Sequence, residues 1–296
     1  MITSFFNKSN PTQGILLSGL LIGLVLYQFW GLWSPIYIAH IGMLWIILFQ
    51  HHLLARLFPF AQHNAYAEVF TTLFFIGNPE IISSTNTLAA YLFLLLAIRQ
   101  FLVLSTAESP SKNIFNSGLS LGIATLIYAP SLWAIVLFFA SLILFEIRSL
   151  RMWVLAAIAL FTPLFFYNAI AFLFDQPLLF FNARFEDQMA FDFDTMPTTK
   201  ILLFALVLFA TARYFFSGLA QNNTEKSTRT ILMLSCFVFG YIDLFYSSQL
   251  NNALLFLVFP FSIVMTFTLT TFPKNWLKNL FLYGAWALAF SQLIFS

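Results

Sequence analysis

The chain has very little charge. Asp, Glu, Lys and Arg make up 8% of its 296 residues, against about a quarter in a soluble domain. That shortage excludes an ordinary water-facing exterior, because the apolar remainder would be exposed and drive association. Cysteine is nearly absent: Cys236 stands alone, which rules out an internal disulfide and a thiolate metal cluster. It lies in an apolar run and reads as a packed thiol. Gly-rich phosphate loops, a nucleophile elbow, a His-Glu-x-x-His pair and any basic tract for nucleic acid are missing. No internal repeat stands out, so the inverted-repeat signature of many secondary transporters is not visible. No cofactor is indicated.

Hydrophobic residues fill the space, at 60% of the chain with 40 Phe. In a bilayer that surface faces hydrocarbon without penalty, so the expected fold is all-α, a single polytopic transmembrane bundle over residues 1–296. The stretch 14–33 is long enough to cross. No small-residue cleavage site follows it, and it reads as a retained first span rather than a signal peptide. Ten apolar runs are distinct: 13–33, 36–57, 85–104, 114–129, 131–147, 152–174, 200–219, 231–248, 252–271 and 278–295. An eleventh, 64–82, contains Glu68, Asn78, Pro79 and Glu80 around a short apolar centre, and reads as one span or two half-helices.

Charge placement bears on that segment, since cytoplasmic ends carry excess Lys and Arg. If 64–82 crosses, Lys8, Arg56, Arg99, Lys112, Arg148, Arg151, Arg213, Lys226, Arg229, Lys274 and Lys278 share the inner face. Arg184 and Lys200 alone are left outside. If it does not cross, the bias reverses. About eleven spans are therefore expected, with the N-terminus inside, the C-terminus outside and the inner (cytoplasmic) membrane as the location. Pro163 and Pro260 fall inside apolar runs and predict kinks.

Chemistry-bearing residues are few. The outer loop 175–199 carries Asp175, Glu186, Asp187, Asp192 and Asp194 among several Phe. This mixture suits a segment lying on the bilayer surface; its alternative reading is a cation- or substrate-facing loop. Asp243 lies inside a span near Tyr241 and Tyr246, and an acid at that depth is a functional candidate by default. It could equally hold helices together through a Tyr hydroxyl. Asp243, Asp192 and Asp194 are the candidate catalytic residues. Glu68 and Glu80 are weaker candidates, expected near the inner and outer interfaces.

The 4 histidines, His40, His51, His52 and His63, all fall on one hairpin. His51 and His52 are adjacent and so point to different helix faces. His51, His52 and His63 are expected beside Arg56 at a solvated interface, with no metal site. Gly19-x3-Gly23 and Gly118-x3-Gly122 place small residues on one helix face each, which permits close helix approach. Packing within the bundle, a membrane-protein partner or a homo-oligomer could use these faces; the bilayer is the remaining partner, and no nucleic acid is expected.

The opening Met1-Ile2-Thr3-Ser4-Phe5-Phe6-Asn7-Lys8, the stretch from Phe115-Asn116-Ser117-Gly118 to Tyr128-Ala129-Pro130-Ser131, and Trp153 through Thr162-Pro163 resemble an uncharacterised multi-pass inner-membrane family of Bacteroidota. Some of its members carry a β-carotene monooxygenase label, which would require dispersed histidines that this chain lacks. A fainter resemblance links Gly118 to Phe145, Arg151-Met152-Trp153, Pro163 and Leu255-Val258-Pro260 with membrane glycosyltransferases that use polyprenyl-phosphate sugars. Those enzymes place a catalytic acid in the first outer loop, which here is only Ser34–Pro35. Two functional readings follow. One is a non-catalytic subunit or scaffold in a cell-envelope process. The alternative is a glycosyltransferase-like or lipid-carrier-handling protein with an outward-facing acidic site.

Overall fold

A computed structural model describes residues 2–7, 11–28, 35–82, 84–104, 109–175, 198–217, 223–246 and 251–295. Among these the fold is all-helical. The α-helices are α1 (Ile2–Phe6), α2 (Pro11–Gln28), α3 (Pro35–Ala55), α4 (Tyr66–Gly77), α5 (Thr85–Leu102), α6 (Pro110–Ile127), α7 (Ile135–Leu144), α8 (Leu150–Leu173), α9 (Thr198–Ser217), α10 (Asn223–Tyr246), α11 (Val258–Thr270) and α12 (Asn275–Phe295). Short 3-10 segments at Pro79–Ile82, Ala129–Ala134 and Asn251–Leu257 connect them.

Four segments are long and apolar enough to cross a membrane: Ile38–Ala55, Thr85–Leu102, Leu150–Leu173 and Glu225–Tyr246. Shorter apolar helices, such as Tyr66–Gly77 and Ala129–Leu144, accompany them. Leu150–Leu173 is the least covered, with Phe165 and Phe172 exposed by 69% and 73%.

The chain forms two compact units. The first comprises Met1–Leu88, Pro197–Leu219 and Leu257–Ser296; the second comprises Ala89–Met196 and Ala220–Phe256. At the centre of the first unit is α4, which packs against α2, α3, α11 and α12. Every residue from Tyr66 to Ile76 is buried. A helix buried on every side belongs inside a bundle, and α4 has that character. The 64–82 segment is therefore one α-helix that ends at Gly77, followed by a 3-10 turn that begins at Pro79. Proline cannot continue the ladder there.

Two prolines differ in effect. Pro260 is the third residue of α11, directly after a 3-10 segment. Its missing N–H thus falls where the 3-10 segment passes into the α-helix, a break in the ladder that proline imposes. Pro163 lies mid-helix in α8.

In the second unit α6 and α8 form the most extensive helix pair, and two glycines make it possible. A Cβ on Gly122 would sit 2.5 Å from the Leu160 carbonyl oxygen and 2.9 Å from Cγ of Pro163. One on Gly118 would meet the Ala159 Cβ at 2.8 Å. The Gly118/Gly122 face is thus covered by α8 of the same chain. Gly19 and Gly23 on α2 are different, since a Cβ on either meets nothing within 4 Å.

Candidate functional site

The first unit contains a cavity of about 760 Å³ between α2, α3 and the start of α4. Its walls are apolar, built from Ile15, Leu17, Trp45, Ile46, Leu48 and Phe49. Several of these stand open: Ile15 is 71% exposed, Trp45 67% and Phe49 59%. The cavity is therefore a groove along the outside of the unit rather than a closed void. A narrow crevice of about 10 Å³, reaching Ile41 and Val25, continues the same seam.

One end of the groove is polar, lined by Gln13, His52, Arg56 and Glu68. His52 lies in the last turn of α3, and Arg56, one residue past its end, still donates its N–H to the His52 carbonyl at 3.3 Å, so both reach the groove. Glu68 lies in the first turn of α4. Its Oε1 and Nδ1 of His52 are hydrogen-bonded. The N-terminal end of a helix is a favourable place for an acidic side chain, by about 0.3–1 kcal/mol. Pairing is also what lets Glu68 be buried, since an isolated carboxylate would cost several kcal/mol to bring in from water. Its second oxygen, Oε2, is buried and accepts no hydrogen bond among the described residues. The guanidinium of Arg56 is exposed and forms no ion pair among the described residues.

His51 faces the opposite way and is fully buried. The expectation that it is solvated alongside His52 and His63 is corrected here. Neighbouring helix residues point about 100° apart, so when His52 lines the groove, His51 meets α4 and α11. Its Nδ1 lies 3.2 Å from Oγ1 of Thr71 and 3.4 Å from Oγ of Ser262. Both hydroxyls donate to carbonyls of their own helices, Ala67 at 2.8 Å and Phe259 at 2.9 Å. They are left as acceptors, and His51 Nδ1–H donates to them. This histidine joins three helices. His63 is exposed, and His40 is buried with Nε2 3.3 Å from Oγ1 of Thr85.

The candidate catalytic acids lie elsewhere. Asp192 and Asp194 are outside the described residues, as is most of the 175–199 loop. Asp243 belongs to the second unit, on α10, and is fully buried. Near it are Tyr128 and Tyr246, and the Tyr246 hydroxyl accepts a 3.1 Å hydrogen bond from Nε1 of Trp133. Trp133 also meets Tyr241 edge-on with centroids 4.9 Å apart, and Tyr128 stacks on Phe256 at 5.5 Å. Glu80 is exposed in the 3-10 turn after α4. Glu68 and Asp243 thus occupy different units. Among the described residues no three His, Cys, Asp or Glu side chains are grouped to hold a metal ion.

A family of unknown function, DUF6427, matches residues 5–295. The chain belongs to that family. Membership of DUF6427 agrees with the resemblance to an uncharacterised family. No curated protein and no solved structure matches the chain, so the reading of this DUF6427 protein rests on its own residues.

Sequence reasoning placed Glu68 near an interface and His52 beside Arg56, but it did not pair them or find the groove. One signal was available. Glu68 is the first acid in the sequence, and the residues just before it supply His51, His52, Arg56 and His63. A carboxylate near a span needs one of them as a partner.

Proposed function

We propose that this DUF6427 protein is an integral membrane protein of the inner membrane that binds a single amphiphile in the α2/α3 groove. The groove's form carries the proposal: an open apolar trough ends in a cluster of charged and polar side chains. A lipid has the same division. Its chain would lie against Leu17, Trp45, Ile46 and Phe49, and its head would meet His52 and Arg56. The volume of about 760 Å³ falls within the roughly 300–1,000 Å³ of ordinary small-molecule sites.

Membrane insertion is supported by the four long apolar segments and by the bare face of α8. An eleven-span arrangement with the N-terminus inside is supported by the one-sided distribution of Lys and Arg. The polar-tipped segment then crosses as α4 and its 3-10 extension, together about 26 Å of rise by the usual increments. That is a little short of a hydrocarbon core of about 30 Å, and local thinning accommodates such a difference. Arg56 lies at the inner face in this arrangement. The groove therefore takes up its amphiphile sideways from the inner leaflet, with the head at the level of the lipid head groups. A lipid-handling role is favoured over a bare scaffold because a scaffold has no use for a charged end in an apolar trough.

The test is retention of lipid through purification. One lipid per chain is expected to survive detergent exchange and be recovered by organic extraction. Ser18 and Gly14 both line the groove, and a Cβ on Gly14 meets open space. Ser18→Trp, or Gly14→Trp, should expel the lipid while leaving the thermal midpoint of the apolar bundle nearly unchanged. Equal lipid content in wild type and both variants would defeat the reading.

A further inference from the structure

We infer that the groove selects lipids with a phosphodiester head, held by Arg56 and His52, while Glu68 positions the imidazole. This deepens the amphiphile reading and rests on it.

The charges at the polar end argue for an anion. Glu68 is committed to His52 through Oε1 and Nδ1. Arg56 has no carboxylate partner among the described residues and is cationic at any accessible pH. The groove end therefore presents a guanidinium that no carboxylate pairs with among the described residues, beside an apolar trough. A neutral head would leave that guanidinium without a counter-charge, and a cationic head would be repelled.

Geometry favours phosphate among anions. His52 and Arg56 line the same groove one turn apart, so their donors approach a head group from two directions. A phosphodiester offers oxygens in a tetrahedral arrangement that can take both. Its partner donors are a guanidinium fork, matched to phosphate, and an imidazole. With Nδ1 held by Glu68, the free Nε2 of His52 is the nitrogen left for the ligand. An anion there completes a carboxylate–imidazolium–phosphate row in which both ring nitrogens donate. Glu68 does not touch the lipid; it is a positioning residue. The trough beyond, from Leu17 to Phe49, takes an acyl chain and makes few demands on its structure.

The experiment uses the full chain in detergent, titrated with dioleoyl phosphatidylglycerol, dioleoylglycerol or oleic acid and followed by native mass spectrometry. Phosphatidylglycerol is expected to bind about tenfold more tightly than dioleoylglycerol, the order of one charge-assisted contact. Arg56→Gln should erase that preference and leave dioleoylglycerol binding unchanged, while Arg56→Lys restores part of it. Glu68→Gln should weaken phosphatidylglycerol binding severalfold without altering dioleoylglycerol. Millimolar inorganic phosphate should not displace the lipid, which separates a lipid head from a free-phosphate site. Equal binding of the two glycerolipids, no effect of Arg56→Gln, or oleic acid binding as tightly as phosphatidylglycerol would overturn the phosphate assignment and leave the groove reading intact. Failure of all three ligands to bind saturably to wild type would overturn the groove itself. Arg56 is exposed, so its variants should fold, and an unchanged thermal midpoint checks that they do.

Discussion

Two helix seams begin from the same sequence device and end differently. In α6 the pair Gly118 and Gly122 lets α8 approach until no Cβ can be added. In α2 the pair Gly19 and Gly23 faces open space, off the seam with α3, which runs along Ser18, Leu21, Ile22 and Val25 and widens at its N-terminal end into a groove. The difference is whether a helix of the same unit lies across the glycines. α8 presents Ala156, Ala159 and the flat ring of Pro163 to the glycines. α3 presents Trp45, Phe49 and the charged end at His52 and Arg56 to the groove. A small-x3-small pattern grants permission for close packing; the partner decides whether it is used.

The largest expected effect breaks the closed seam. Gly122→Val would drive a branched side chain into the Leu160 carbonyl and Pro163, and overpacking of this kind costs about 1–3 kcal/mol. The thermal midpoint in detergent should fall by several degrees, or the variant should fail to accumulate. Next comes Glu68→Ala, which removes the carboxylate from His52. Breaking a buried pair costs about 3–5 kcal/mol; His52 is one-quarter exposed, so a loss of about 1–2 kcal/mol is expected in chemical denaturation. Ser18→Trp should move stability by less than about 1 kcal/mol, because it fills existing space, yet it should empty the groove of lipid. No destabilisation at all is expected at the open face. Gly19→Ala with Gly23→Ala should stabilise, by up to about 1 kcal/mol per residue, since Ala exceeds Gly by that amount in a helix interior. A large loss of stability there would mean that a partner helix covers the face in the membrane, and the contrast between the seams would collapse.

Much of the fold was legible from the sequence, for identifiable reasons. Sparse charge and long apolar runs leave helices as the economical way to satisfy the backbone, and the helices follow. The odd composition of 64–82 marked α4 as unusual. Its central burial was not visible, because apolar residues facing lipid and apolar residues facing other helices look alike in sequence. The site was less legible. His52 and Glu68 are 16 residues apart across a turn, and no periodic pattern records that pairing. Adjacency correctly separated the directions of His51 and His52, but not which one would be buried; Thr71 and Ser262, on two other helices, decide that. Asp243 attracted notice as a lone acid in a span, and the aromatic ring of Tyr128 near it comes from distant sequence. A groove is harder still to foresee, since it is the absence of a side chain where two helices diverge.

The central claim is that one lipid occupies the α2/α3 groove at a defined place. Trp45 lines that groove and is largely exposed, which makes its fluorescence a direct reporter. The measurement is quenching by a phosphatidylglycerol with brominated acyl chains, taken as the difference between wild type and Trp45→Phe. The account predicts that the Trp45 share of emission is quenched saturably at about one equivalent of lipid, and that Ser18→Trp abolishes the saturable part. Quenching that rises only in proportion to the bulk fraction of brominated lipid, with or without Ser18→Trp, would contradict it.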